Sequence, residues 1–197
     1  MTWSANDEGY LRAYEWAGAL AGGAPLPVLA APFPLGPGEI AHAQIGPVKV
    51  IGFYGENKGY RRGFLMFGGP VGLAVTGAAS YARNQSKKAE AERAAVPHWH
   101  EMGTASIVLT NQRLMLSVGQ STEGLWHAES GPMQLLTGPG GVPVIQFQPS
   151  GMPELRLESA WAAMLYVFVH HLLDGRPPGV PMPAGVLERA PTERPTS

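Results

Sequence analysis

The chain has 197 residues, 45% of them hydrophobic, which is enough for one well-packed core at the length of a single domain with appendages. Fourteen Lys and Arg stand against fifteen Asp and Glu, a formal charge of −1 that gives no overall attraction to nucleic acid. The absence of cysteine excludes disulfides, thiolate nucleophiles and cysteine-ligated zinc, and 26 glycines with 19 prolines demand many turns and extended connections.

Residues 4–20 read as a helix, because Ser4 can cap with Asp7 at its third position and Tyr10, Tyr14, Ala17 and Leu20 recur at helical spacing. Asp7, Glu8 and Glu15 occupy the place where a secretory leader would carry basic residues and an unbroken apolar run, so the expected location is the cytoplasm. Five prolines between residues 24 and 38 forbid helix and central strand, while Leu26, Val28, Leu29, Phe33 and Leu35 predict a linker lying on the surface of the domain. Residues 39–54 return to strand character, and Gly46-Pro47 predicts a break into a first hairpin, Ile40 to Ile45 and Val48 to Tyr54.

Residues 58–96 interrupt the strand pattern with a basic start, an apolar middle and a charged, alanine-rich end, and read as an insertion. Phe64 to Ala82 carries no charge, but four glycines and Pro70 dilute it, and basic residues flank both ends, so it is expected to pack as a glycine-rich loop and helix, over Val108 and Met115, or to contact a membrane surface. Tyr81 to Ala95 reads as a polar helix with solvated charge pairs. Seven of the fourteen basic residues, Lys58, Arg61, Arg62, Arg83, Lys87, Lys88 and Arg93, fall in this insertion against Glu90 and Glu92 alone.

Residues 104–118 predict a hairpin closed by Asn111 and Gln112. With Thr110 facing Arg113, Leu109 meets Leu114, Ile107 meets Leu116 and Ala105 meets Val118 on one apolar face. Val108 and Met115 on the other face require a second cover. Strand candidates at Leu125–Ala128, Met133–Leu136, Val142–Phe147 and Leu155–Leu157 follow, separated by Gly and Pro signals. A final helix is expected from about Ser159, which would cap it, to Asp174, stopped by Gly175. Its apolar residues, Trp161, Met164, Leu165, Tyr166, Phe168, Val169, Leu172 and Leu173, nearly encircle it, so it needs cover on two sides, from the N-terminal helix or a second subunit.

The run Ile107-Val108-Leu109-Thr110-Asn111-Gln112-Arg113-Leu114 resembles the hairpin of bacterial pleckstrin-homology-like and GRAM-type domains, and the likeness covers roughly residues 35–54 and 103–174, about half the chain. The resemblance implies an α+β fold, a half-barrel of short antiparallel strands with a C-terminal capping helix. To that plan this chain would add an N-terminal helix and proline-rich linker over 1–38, an insertion at about 58–96 within the 39–174 domain, and a disordered proline-rich tail over 175–197.

His98-Trp99-His100-Glu101 is the one run of ligand-type residues, since alternation along a strand puts His98 and His100 on one face; a metal-dependent hydrolase using His98, His100 and Glu101 is one reading. His170 and His171 suit a helix C-terminus, His42 and His127 are isolated, and the five tryptophans read as core or interface anchors. No nucleophile elbow, phosphate loop or dinucleotide fingerprint is present, so the chain is read as a non-enzymatic cytoplasmic binding module without a cofactor or resident metal. Its expected partner is a protein or an anionic membrane surface, met through Arg61, Arg62, Arg83, Lys87, Lys88, Phe64 and Phe67, with no nucleic acid. A homodimer closed by residues 64–82 and 159–174 is the alternative.

Overall fold

The computed structural model describes residues 2–55, 96–118 and 121–193. It is an α+β arrangement in which seven antiparallel strands form one sheet: β1 (Ala41–Tyr54), β2 (His98–Thr110), β3 (Arg113–Val118), β4 (Ser121–Trp126), β5 (Met133–Thr137), β6 (Pro143–Phe147) and β7 (Glu154–Glu158). The order across the sheet is β4-β3-β2-β1-β7-β6-β5, and the two edges do not close on each other. Three α-helices occur among the described residues: α1 (Ala5–Ala21), α2 (Ala162–Asp174) and α3 (Val186–Glu193).

The long strand β1 holds the sheet together, because it pairs with β2 along one side and with β7 along the other. The expected break at Gly46-Pro47 is a bulge instead of a turn. The peptide there is cis, and the register with β2 shifts between Ile45 and Val48, but the strand continues. A bulge absorbs an extra residue without ending a ladder, and the pairing of β1 with β2 on both sides, Ile45 with Ile107 and Val48 with Ala105, outweighs the local turn signal. The β2–β3 hairpin has the expected register, Leu109 opposite Leu114 and Ile107 opposite Leu116.

One face of the sheet and two helices share one core. Ile107, Leu109, Leu114, Leu116, Ile145, Phe147 and Leu157 meet Tyr10, Ala13, Leu165 and Phe168, all nearly inaccessible to solvent. Each such side chain contributes about 1.5–3 kcal/mol by leaving water. Helix α1 opens with the expected capping box, in which Ser4 Oγ accepts from Asp7 N and the Asp7 carboxylate accepts from Ser4 N. It supplies the second cover that α2 needs, with Trp16 set edge-on to Phe168 at 5.2 Å and Tyr10 Oη hydrogen-bonded to Thr137 Oγ1 at 3.1 Å. Helix α2 begins later than expected. Trp161 occupies the cap position, and Ser159, two residues before it, accepts from Trp161 N through its side chain. Gly175, at φ 68°, ends it in the left-handed region as expected.

Two further departures concern the proline-rich stretches. The cover over Val108 and Met115 is the linker, whose Ala31, Phe33 and Leu35 pack on a second cluster of Ala41, Val108 and Met115. Leu29 fixes its path by bridging to Ala41 through a 2.9 Å hydrogen bond from its N–H. The 175–197 stretch, expected as a disordered tail, is placed up to residue 193: Val180 and Met182 pack on the main core, Val186 is buried, and Arg189 donates to the Asp7 carboxylate at 2.8 Å. The apolar residues between the prolines decide the outcome, and each proline merely sets φ along the way.

Two glycines of α1 test the packing. A Cβ on Gly9 would lie 1.7 Å from the carbonyl oxygen of Ala160, whereas one on Gly18 would meet nothing within 4 Å. Gly9→Ala is therefore expected to lift α1 from α2 and lower stability by about 3 kcal/mol or more, and Gly18→Ala to raise it by up to about 1 kcal/mol. Urea unfolding of the two variants measures both; equal midpoints would show that α1 does not dock through Gly9.

Candidate functional site

The residues shared with the hairpin signature gather around one buried carboxylate. Glu39, 6% exposed, lies beneath the β2–β3 turn and accepts from Arg113 Nε at 2.8 Å and Arg113 Nη2 at 2.9 Å. Thr110 Oγ1 donates to the same carboxylate at 2.8 Å, as does Gly36 N. Asn111 holds the preceding residues, accepting from Ile40 N at 2.9 Å and donating to Gly38 O at 3.0 Å. Thr110, Asn111 and Arg113 are thus all consumed by the segment 36–40, and the signature is an instruction for folding. The bidentate guanidinium, more than any other contact, holds Glu39 down to about 2 from an ordinary 4.5.

Two histidines flank this node. His127 Nε2 donates to Thr110 O at 2.8 Å, while its Nδ1 is buried without a hydrogen-bond partner. Burial, helped by the neighbouring His42, pushes His127 below the ordinary imidazole range. His42 Nδ1 donates to Pro27 O at 2.7 Å, tying the linker to β1. In sequence both looked isolated; their partners lie 17 and 15 residues away, and neither sits in a local motif.

The expected binding residues would leave the sheet at the end where β1 and β2 open. Tyr54 pairs with His98, so residues 55–97 leave and rejoin the sheet at one point. The expected binding residues Arg61, Arg62, Phe64, Phe67, Arg83, Lys87 and Lys88 all lie outside the described residues, as do the glycine-rich run and the polar helix expected over 64–95. What is described is their root. His98 and His100 share one face, ring centroids 3.8 Å apart, and Tyr54 stacks on His100 at 4.2 Å. Each imidazole is held by a backbone carbonyl, His98 Nδ1 by Val96 O and His100 Nε2 by Tyr54 O, both at 3.0 Å. Glu101 lies on the opposite face, paired with Lys49 at 2.8 Å, so the structure does not bring it together with the two histidines. Trp99 shares that opposite face, between Phe53 and the Arg156 guanidinium, which sits 3.8 Å from its ring.

The remaining histidines do not cap the last carbonyls of α2; His170 Nδ1 donates to the Asp174 carboxylate at 2.9 Å. Among the tryptophans, Trp16 is a core anchor, but Trp126 is 43% exposed beneath the Arg113 guanidinium. Among the described residues no three His, Asp or Glu side chains gather to hold a metal, and no helix is long and apolar enough to cross a membrane. Comparison with models of protein families, with curated proteins and with solved structures finds no match to this chain.

The node predicts two separate losses of stability in acid. A group whose pKa is depressed on folding contributes stability above its unfolded value and loses it as pH falls. His127 must protonate to unfold the node below about 6.5, and Glu39 contributes about 3 kcal/mol that disappears between about 4.5 and about 2. Thermal melting from pH 8 to pH 3 should therefore fall in two steps. His127→Gln removes the upper step only, Glu39→Gln the lower one at the expense of a lower melting temperature throughout; a wild-type melting temperature constant from pH 7 to 5 would sink the assignment to His127.

Proposed function

We propose that this chain is a cytoplasmic, non-enzymatic binding module of pleckstrin-homology-like fold, which presents the segment between β1 and β2 to an anionic membrane surface. A seven-stranded antiparallel sheet followed by one helix packed across its core is in keeping with the resemblance of the Thr110–Leu114 hairpin to that family.

The observation that carries the reading is the separation of charge. Residues 2–55, 96–118 and 121–193 hold six basic and twelve acidic side chains, whereas residues 56–95 hold seven basic and three acidic ones. An anionic leaflet repels the sheet and helices and attracts the insertion, so the two charges together orient the molecule. The paired Tyr54 and His98 put both ends of that insertion at one place on the sheet. Each basic residue near an anionic surface contributes about 1 kcal/mol, so Arg61, Arg62, Arg83, Lys87 and Lys88 together give reversible attachment, with Phe64 and Phe67 as the apolar component.

Co-sedimentation with neutral and anionic vesicles tests this. The protein is expected to bind the anionic ones, and raising salt from 0.1 to 1 M, which shortens the screening length from about 10 Å to about 3 Å, should release it. Replacing Arg61, Arg62, Lys87 and Lys88 together with Gln should abolish binding with little change in melting temperature. Wild type that ignores anionic vesicles at low salt would remove the membrane reading and leave a protein partner for the same residues.

A further inference from the structure

We propose that His98, His100 and Met102 form a copper-ion site on one face of β2. The three residues alternate along the strand, with Trp99 and Glu101 pointing the other way and engaged there by Phe53, Arg156 and Lys49. Two imidazole nitrogens and a thioether are a borderline and a soft donor set, the combination that favours copper over zinc and excludes magnesium or calcium.

Three features of the face support the assignment. A carbonyl can only accept, so His98 carries its proton on Nδ1 toward Val96 O and His100 carries its own on Nε2 toward Tyr54 O. That leaves His98 Nε2 and His100 Nδ1 as lone-pair donors, and a backbone carbonyl on the second nitrogen is the outer contact by which metal-binding histidines are usually fixed. The rings are already close, with centroids 3.8 Å apart, and Tyr54 stacked on His100 limits the rotation of that ring. Finally, the residue opposite His100 is Gly52, and a Cβ there would lie 2.8 Å from Met102 Sδ and 3.1 Å from the Tyr54 ring. The missing side chain is what lets the thioether lie on the histidine face of the sheet. His98 is exposed and His100 and Met102 are half-buried, so an ion reaches them from solvent.

Transfer of Cu(I) from its complex with the chromophoric chelator bicinchoninate, under anaerobic reducing conditions, tests the site on the full chain. Wild type should withdraw one equivalent and melt at a higher temperature when loaded, because an ion that binds only the folded state stabilises it. The double variant His98→Gln/His100→Gln should withdraw none, and His170→Gln/His171→Gln should behave as wild type. Met102→Leu should weaken Cu(I) binding by about tenfold or more while leaving Ni(II) binding by the two imidazoles nearly unchanged, since nickel gains little from a thioether. This single variant retains volume and apolar character, so it tests the site even if the double variant fails to fold. The proposal is overturned if wild type withdraws no more copper than the double variant, or if Met102→Leu binds Cu(I) as wild type does.

Discussion

The buried carboxylate of Glu39 ties the linker to the β2–β3 hairpin. Its two oxygens receive four hydrogen bonds, from the linker at Gly36, from the hairpin at Thr110 and twice from Arg113. A carboxylate stripped of water is tolerated only with such a shell, because an unpaired buried charge costs several kcal/mol. The node therefore fixes three things at once: where the linker meets β1, which residues close the β2–β3 turn, and how far Arg113 reaches toward Trp126. The linker is then held in place to cover Val108 and Met115, which leaves the sheet with apolar packing on both sides at that end.

At the other end of β1 the same strand ends in a different chemistry. Gly52, Tyr54, His98, His100 and Met102 occupy the core-facing side, where Gly52 lies beside Leu155, past the pair Val50 and Leu157. Carbonyls of Val96 and Tyr54 tie the imidazoles to the strands that carry them, so the root of the insertion is ordered by contacts of its own. The opposite side there is closed by Trp99, Phe53 and Arg156, with Arg156 Nε donating to Gln146 Oε1 and Gln146 in turn hydrogen-bonded to Glu154. One strand thus joins a polar node at its start to an aromatic and histidine cluster at its finish.

The sheet was largely legible because period-two alternation is a local signal. Leu109 opposite Leu114 follows from the two-residue turn alone, and the capping box at Ser4 and Asp7 follows from spacing. Misreadings arose where a distant partner outweighed a local signal. Gly46-Pro47 marks a turn in isolation, yet β2 pairs with the strand on both sides of it, at Ile45 and Val48, and the extra residue is taken up as a bulge. The tail after Gly175 was read by its prolines, when the burial of Val186 decides its path, whereas the apolar residues of the 24–38 linker did announce that it lies on the domain. Glu39, His42 and His127 gave no sign at all, since their partners are named only by the fold; Glu39 and Arg113 are 74 residues apart. In the candidate site, alternation placed His98 and His100 together, but nothing local pointed to Met102, whose relevance comes from the absent side chain of Gly52 across the strand. The basic residues of the insertion remain a reading of composition, since they fall outside the described residues.

The docking of α1 on α2 has a consequence for the order in which the protein can be made. Helix α1 is synthesised first, but the residues that bury its apolar face, Phe168 among them, and the Arg189 that clasps Asp7 come last. At about 5–20 residues per second, the interval between α1 and α2 on the ribosome is roughly seven to thirty seconds. Tyr10, Ala13 and Leu20 are without their final partners throughout that time, and a helix of this length is marginal without packing. Folding of the core is therefore completed only once α2 and the segment carrying Arg189 have emerged, and the nascent chain depends on whatever shields that first apolar stripe until then.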